Sequence, residues 1–249
     1  AWLLHANGTQ VAPLDLKTFG VGATIKVQHD LGDASPYTVL DVHPGGRYLV
    51  LSNLPTAEID EWLFDGMSCT GNVGWDSSWK YVDRCRFAVI DTLTGASWTV
   101  VTDRPPRDLD FLPGGTEILV TWSEWNGATP VATALFYDLA SAKQTAKVAF
   151  PNCADEVVLV PGRDLALMAP SRCQKDPISI LDTKQRKFVK NLPGFGPVAV
   201  AADGKTAIGF TQRQVMESEW DYTQQIDNIG LIRVDLDTMK WKVVDYGPN

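Results

Sequence analysis

The sequence lacks the features by which membrane spans and many enzymes are recognised. No apolar run approaches the about 18–20 residues needed to cross a bilayer, and no long segment has the spacing of an amphipathic helix. There is no Gly-x-Ser-x-Gly elbow, His-Glu-x-x-His helix, Walker loop, EF-hand loop or Gly-x-Gly-x-x-Gly turn. We therefore predict no membrane insertion, and the motifs identify no catalytic residue and no cofactor.

Basic residues and histidines are both scarce. Twenty-two Lys and Arg stand against 30 Asp and Glu, which gives a formal net charge of −8. Such a chain has little with which to neutralise rows of phosphates, so we expect no nucleic-acid partner. The three histidines offer little material for a Ser–His–Asp arrangement or a zinc site. Carboxylates two residues apart, Asp108 with Asp110 and Glu217 with Glu219, can ligate calcium. Solvated charge is the more common explanation of such pairs, and we predict no metal site.

The four cysteines fall into two pairs that are close in sequence, and no Cys-x-x-Cys spacing occurs. We predict the disulfides Cys69–Cys85 and Cys153–Cys173, with four buried free thiols as the alternative. Disulfides indicate an oxidising compartment, so the expected location is extracellular, at the cell surface or periplasmic. No signal peptide is recognisable, and the start at Ala1 is compatible with removal of a leader.

Two short patterns recur along the chain. A glycine turn leads into an apolar strand four times, and an alternating strand ends on aspartate four times. The glycine turns are Gly45-Gly46-Arg47, Gly114-Gly115-Thr116, Pro161-Gly162-Arg163 and Asp203-Gly204-Lys205, and the aspartates are Asp91, Asp138, Asp182 and Asp235. Repeats of roughly 40–50 residues made only of short strands are typical of a β-propeller. The predicted fold is therefore all-β.

The repeats predict one domain, 1–249, with about five blades. Four full blades, each a four-stranded antiparallel meander, are expected at 37–102, 108–150, 155–190 and 197–245. Residues 1–30 form an incomplete blade that lacks an innermost strand. Either the terminal segments pair and close the ring, or the chain is part of a larger ring, and the sequence leaves both open.

Part of the chain resembles a known family. Residues Leu181 to Phe188 and Val198 to Ala207 resemble the YVTN-type and WD40-like propellers of bacterial surface and periplasmic proteins. Those repeats carry an aspartate-threonine turn, an apolar strand and an Asp-Gly-Lys turn. The resemblance implies a propeller fold, although this chain differs in its long insertions and its smaller number of blades. Propellers include both binding modules and enzymes, so the resemblance does not specify a function.

The connections between the second and third strands of the predicted blades are enlarged. They are Asn53 to Arg84, Ser123 to Val131 and Gln212 to Asn228. These connections contain five of the nine tryptophans, Trp62, Trp75, Trp79, Trp125 and Trp220, together with Tyr222. Long loops on one face of a rigid scaffold commonly carry binding, and aromatic residues are enriched at interfaces. We therefore predict a protein partner on this face, although packing within each loop is the alternative for any single tryptophan.

Two other functions remain open. A propeller-type enzyme would act in the central funnel, on a sugar or another small substrate, through convergent charged groups. The dense candidates are Asp103, Arg104, Arg107, Asp108, Arg172 and Lys175, of which Arg104 and Arg107 are also candidate binding residues. A structural subunit of a larger complex would instead leave an apolar patch of several hundred Å² exposed.

Overall fold

The computed structural model describes residues 1–4, 10–27, 39–52, 70–73, 80–83, 85–126, 129–154, 156–170, 177–212 and 229–245. All regular elements in these ranges are β-strands, which confirms the all-β prediction. Within the same ranges, no helix is both long and apolar enough to span a membrane.

The described strands form antiparallel sheets whose order follows the chain. The first sheet contains β1 (Trp2–Leu4), β2 (Gln10–Pro13) and β3 (Ile25–Lys26). The second contains β4 (Val39–Val42), β5 (Tyr48–Ser52), β8 (Arg86–Asp91) and β9 (Ser97–Val101), while β6 (Thr70–Val73) pairs with β7 (Lys80–Asp83) as a separate hairpin.

The remaining three sheets each have four described strands. The third contains β10 (Asp108–Phe111), β11 (Glu117–Asn126), β12 (Thr129–Asp138) and β13 (Gln144–Phe150). The fourth contains β14 (Glu156–Leu159), β15 (Leu165–Ala169), β16 (Ile178–Asp182) and β17 (Lys187–Leu192). The fifth contains β18 (Phe195–Val200), β19 (Thr206–Gln212), β20 (Ile229–Asp235) and β21 (Lys240–Asp245).

Two predicted loops contain strands. The connection from Ser123 to Val131 was expected to be a loop, but β11 continues to Asn126 and β12 begins at Thr129. The strands continue through polar residues on both sides of Asn-Gly at 126–127, and this dipeptide is a strong turn signal in the sequence. The long connection from Asn53 to Arg84 contains the β6–β7 hairpin.

The chain groups into two compact units, which are residues 1–122 with 136–145, and residues 123–135 with 146–249. In the first unit, apolar side chains of the first sheet pack on those of the second, with Val11, Leu49 and Ile90 fully buried. In the second unit, the fourth sheet packs on the fifth through residues such as Leu167 and Ile232. Each core therefore forms between the facing surfaces of consecutive sheets.

Hydrogen bonds within and between the turns explain both sequence repeats. In each glycine turn an N–H donates to the carbonyl three residues earlier, and the second sheet's example joins Gly46 N to His43 O at 2.7 Å. Each strand-ending aspartate accepts backbone N–H groups on Oδ1, as Asp235 does from Asp237 and Thr238, both at 2.9 Å. Aspartate therefore recurs because it organises the hairpin that follows it.

The two kinds of turn are also bonded to each other in every four-stranded sheet of the described chain. The residue after each aspartate donates its N–H to a carbonyl at the end of the glycine turn. The four bonds are Thr92 N to Arg47 O, Leu139 N to Thr116 O, Thr183 N to Asp164 O, and Leu236 N to Lys205 O, at 2.8–2.9 Å. We call this end of each sheet the turn end, and the opposite end the loop end.

Candidate functional site

The loop end of a sheet carries the connection between its second and third strands and the link to the next sheet, because antiparallel strands alternate in direction. Connections at the turn end are short and alike. At the loop end the second sheet carries 53–85, the third has the extended β11–β12 hairpin, and the fifth carries 213–228. Variation in length is therefore concentrated at the loop ends.

The residues predicted to bind a partner are only partly within the described chain. Trp62, Trp75, Trp79, Trp220 and Tyr222 lie outside the described residues. Trp125 lies in the extended part of β11, and its side chain is also outside the described part. Arg104 and Arg107 are described and half-buried, in the link from β9 to β10 at the loop end. The role of these residues in binding stays a prediction.

The link that contains Arg104 and Arg107 is held by its backbone. Thr102 N donates to Cys85 O at 2.8 Å, and Thr102 Oγ1 donates to Arg104 O at 2.6 Å. Arg107 N donates to Thr121 O at 2.7 Å. Pro105 and Pro106 between the arginines are buried, and proline restricts the backbone further. Arg104 and Arg107 therefore lie on a fixed segment, which is bonded through Thr102 to Cys85 at the end of the 53–85 insertion.

Two half-buried carboxylates, which the sequence analysis did not connect, come together in the first unit. Burial raises the pKa of Asp41, and the charge of Asp110 raises it further. Burial likewise raises the pKa of Asp110, against a backbone hydrogen bond from Phe111 that lowers it. Asp41 Oδ2 is buried and has no hydrogen-bond partner among the described residues. The pair therefore favours the protonated form more than free aspartates do.

The sequence carried a signal for this pair. The pattern Leu-Asp-x-x-Pro-Gly-Gly occurs at 40–46 and again at 109–115. Asp41 pairs with Val50, and Asp110 pairs with Leu119, so both occupy the same position in the first strand of a sheet. Carboxylates with raised pKa values can transfer protons near neutral pH. Among the described residues, however, no three His, Cys, Asp or Glu side chains form a metal-binding group.

The residues named as candidates for a funnel enzyme are described only in part. Burial raises the pKa of the Tyr137 hydroxyl to about 12, and the charge of Asp103 contributes. Asp108 Oδ1 accepts the N–H of Leu109 at 2.8 Å at the start of β10. Arg172 and Lys175 lie outside the described residues. The six residues proposed for a funnel enzyme are therefore only partly placed.

Both described cysteines are buried and neither is a free thiol. Cys85 lies immediately before β8, and Cys153 lies between β13 and β14. The Sγ of Cys153 is 3.7 Å from Ser123 Oγ, and that hydroxyl donates to Ala154 O at 3.0 Å. Cys69 and Cys173 lie outside the described residues, so the two predicted pairings stay predictions.

Comparisons with known proteins identify the fold and no family. No protein-family model and no curated protein matches the sequence. Among solved structures, the chain resembles Kuenenia stuttgartiensis hydrazine synthase, with a TM-score of 0.58 at 14% identity over 96% of this chain. It also resembles the β-propeller domain of the Trilobed protease from Pyrococcus furiosus, with a TM-score of 0.52 at 12% identity over 95% of this chain.

A chain of the mitotic checkpoint complex gives a TM-score of 0.55 at 10% identity over 98% of this chain. The present chain covers only 60%, 62% and 62% of these three chains, in the order given. At such identities the likeness concerns the fold alone, because one fold hosts unrelated functions. The repeated four-stranded antiparallel sheets and these neighbours together show a fold of the β-propeller type.

Proposed function

We propose that this chain is a protein-interaction module that meets its partner through the loop ends of its sheets. The observation that carries this proposal is the contrast between the two ends. The connections at the turn ends are short and are held by hydrogen bonds within and between the turns, whereas the loop ends carry the long or extended connections. Binding residues are commonly found on variable loops that a rigid scaffold positions.

The side chains in these connections suit a protein partner. Trp62, Trp75 and Trp79 belong to the 53–85 insertion, Trp125 to the β11 extension, and Trp220 with Tyr222 to 213–228. Aromatic side chains supply large contact areas with a polar atom at one end, and they are frequent among the residues that dominate binding energy. Arg104 and Arg107 add charged groups from the adjoining link.

The proposal includes the disulfides Cys69–Cys85 and Cys153–Cys173 and an extracellular, cell-surface or periplasmic location. The burial of Cys85 and Cys153, neither of them a free thiol, supports the disulfides. A cross-link at Cys85 would close the insertion next to the segment that holds Arg104. It would thereby reduce the entropy lost when the insertion is ordered against a partner.

The proposal is tested by comparing the proteins that the wild-type chain and two variants capture. Immobilised chain is incubated with an extract of its source, and bound proteins are quantified by mass spectrometry for the wild type and two variants. The loop variant carries Trp79→Ser and Trp125→Ser, and the control carries Lys184→Ser and Lys205→Ser at turn ends. A specific partner should be lost from the loop variant and retained by the control.

The captured partner is then purified and its affinity is measured by calorimetry. Truncation of one buried aromatic anchor should cost at least about 2 kcal/mol of binding free energy, whereas removal of rim carboxylates should mainly slow association. Circular dichroism confirms that each variant is folded. Equal binding by the loop variant, or loss of binding only in the control, contradicts the proposal.

A further inference from the structure

The fifth sheet has one covered face and one exposed face. Ala207, Ile232 and Val234 point into the core shared with the fourth sheet and are essentially fully buried. On the opposite face Ile208, Phe210 and Leu231 are 46%, 36% and 36% exposed. In the fourth sheet, by contrast, residues 166–169 of β15 and 178–181 of β16 are buried without alternation, so both faces of these two central strands are covered.

The exposed face of the fifth sheet places an apolar row beside a cationic row. Directly opposite residues of antiparallel strands share a face, and the register pairs Ile208 with Arg233 and Phe210 with Leu231. Arg233 in turn pairs with Lys242, and Asp235 pairs with Lys240. The apolar side chains therefore lie on β19 and β20, and the cations lie on β20 and β21.

The charge on this face is unbalanced in an otherwise acidic chain. Arg233, Lys240 and Lys242 are exposed, and Asp235 lies directly opposite Lys240. The Asp235 carboxylate accepts two backbone hydrogen bonds in its own turn. These backbone bonds outweigh the effect of burial and lower the pKa of Asp235, with a further contribution from Arg233. Among the described side chains of this face, three cations thus stand against one carboxylate that is already engaged, and the register also places Asp245 opposite Leu231 at the end of β21.

A groove of about 460 Å³ runs along the cationic side. It is lined by Arg233, Asp235, Thr238, Lys240, Trp241 and Lys242. Trp241 is 50% exposed on β21, which is the outermost described strand of its sheet. Lysines on an outermost strand also discourage edge-to-edge pairing of sheets, which favours a ligand on the face rather than a strand added at the edge.

We propose that this face binds an acidic amphipathic helix of a partner protein. Three adjacent strands at about 4.8 Å spacing span about 10 Å, which matches the roughly 10 Å width of one α-helix. A helix lying along the strands would place its apolar stripe on Ile208, Phe210 and Leu231. Its carboxylates would then face Arg233 and Lys242. Amphipathic helices commonly dock in this way on surfaces with an apolar row, and the charge selects an acidic one.

The test uses two synthetic 18-residue helical peptides. Both have leucines on one face, and the other face carries glutamates in one peptide and lysines in the other. Binding of each fluorescein-labelled peptide to the full chain is measured by fluorescence anisotropy, at low and at high salt. The acidic peptide should bind at least about tenfold more tightly than the basic peptide. Its affinity should fall as salt rises, because salt screens the charge contacts.

Variants locate the site. Arg233→Glu with Lys242→Glu should weaken binding of the acidic peptide at least about tenfold, and Ile208→Ser with Leu231→Ser should do the same. The matched controls are Lys187→Glu and Val189→Ser on β17, both at exposed positions of the fourth sheet, and they should bind like the wild type. Because all these side chains are exposed, the substitutions should leave the thermal midpoint nearly unchanged.

Three results overturn the proposal. They are equal binding of both peptides, no binding of the acidic peptide, and binding that survives both pairs of face substitutions. Sedimentation velocity on the chain alone tests whether a second copy of the chain covers this face. If the chain self-associates and Ile208→Ser with Leu231→Ser abolishes the association, the occupant of the face is a second copy, and the helix proposal is wrong.

Discussion

The backbone N–H of Leu236 donates to the carbonyl oxygen of Lys205 at 2.8 Å, and this bond joins the aspartate turn to the glycine turn of the fifth sheet. Lys205 is the last residue of the glycine turn, and Leu236 directly follows the strand-ending Asp235. The same bond occurs in the three other four-stranded sheets of the described chain. The two repeats of the sequence are thus two halves of one local structure.

Replacement of Gly204 should be far more costly than replacement of Gly162. Both have positive φ, 65° and 69°, but a Cβ on Gly204 would lie 2.1 Å from Pro161 O, whereas nothing lies within 4 Å at Gly162. Gly162→Ala should cost the left-handed penalty of about 1–2 kcal/mol. Gly204→Ala should cost more than about 2 kcal/mol, because the backbone at Pro161 must also move to make room for the Cβ. Urea unfolding of both variants measures the difference, and equal midpoints would refute it.

Replacement of Ala142 by glycine should stabilise the chain. Ala142 has a φ of +56° at the position in its aspartate turn that Gly95, with a φ of +73°, occupies in the second sheet. Removing the left-handed penalty of about 1–2 kcal/mol should exceed the entropic cost of glycine, about 0.5–1 kcal/mol. Gly95→Ala is the reciprocal control and should destabilise. A lower urea midpoint for Ala142→Gly would contradict this account.

Two aspartate substitutions should change stability in opposite directions. Burial and Asp110 raise the folded-state pKa of Asp41, so ionised Asp41 costs stability above that pKa, and the cost disappears as pH falls below the unfolded value. Asp41→Asn should therefore raise the urea midpoint at pH 7 and have little effect near pH 3.

Asp91 is the opposite case. Burial opposes ionisation of Asp91, but the Leu93 N–H bond and the Arg47 side chain outweigh it and lower its pKa. The Arg47 Nη2 to Asp91 Oδ2 distance is 3.2 Å. The stabilisation is present above the unfolded pKa and is lost as pH falls through the folded pKa. Asp91→Asn should therefore lower the midpoint at pH 7, and a shift of the same sign in both variants would contradict this reasoning.

Peptide mapping without reductant should find Cys69 linked to Cys85 and Cys153 linked to Cys173. Closing a loop of about 15 residues stabilises a protein by roughly 3 kcal/mol in the chain-entropy model. Reduction should therefore lower the thermal midpoint of the wild type and leave a Cys69→Ser/Cys85→Ser/Cys153→Ser/Cys173→Ser variant unchanged. Cross-linked peptides with other pairings would overturn the assignment.

The predictable part of this fold is the part that local chemistry specifies. Asp138, for example, accepts both the N–H and the hydroxyl of Ser141 at 2.7 Å, so its position in the sequence marks the end of β12. The two repeats therefore mark where the strands beside such turns begin and end. The extended β11–β12 hairpin was missed because polar residues such as Glu124 interrupt its apolar pattern, while backbone pairing does not need apolar side chains.

The candidate sites were harder to predict, because they depend on contacts between distant segments. Asp41 and Asp110 are 69 positions apart and become coupled only when β4 and β10 take equivalent places in neighbouring sheets. Ile208 and Ala207 are both apolar in the sequence, and only packing on the fourth sheet decides which of them is buried. The alternation of side chains along a strand predicts which residues share a face, but it does not predict which of the two faces is covered when both carry apolar residues.

The bond between the two turns has a consequence for how this protein can change. Register in each four-stranded sheet is held at the turn end, by contacts such as Thr183 N to Asp164 O. Residues added at a loop end extend the chain beyond these contacts without disturbing them, and loop-closure entropy grows slowly with length. The loop ends are therefore the natural places to graft a foreign peptide or to accumulate insertions during divergence, while the turn ends preserve the architecture.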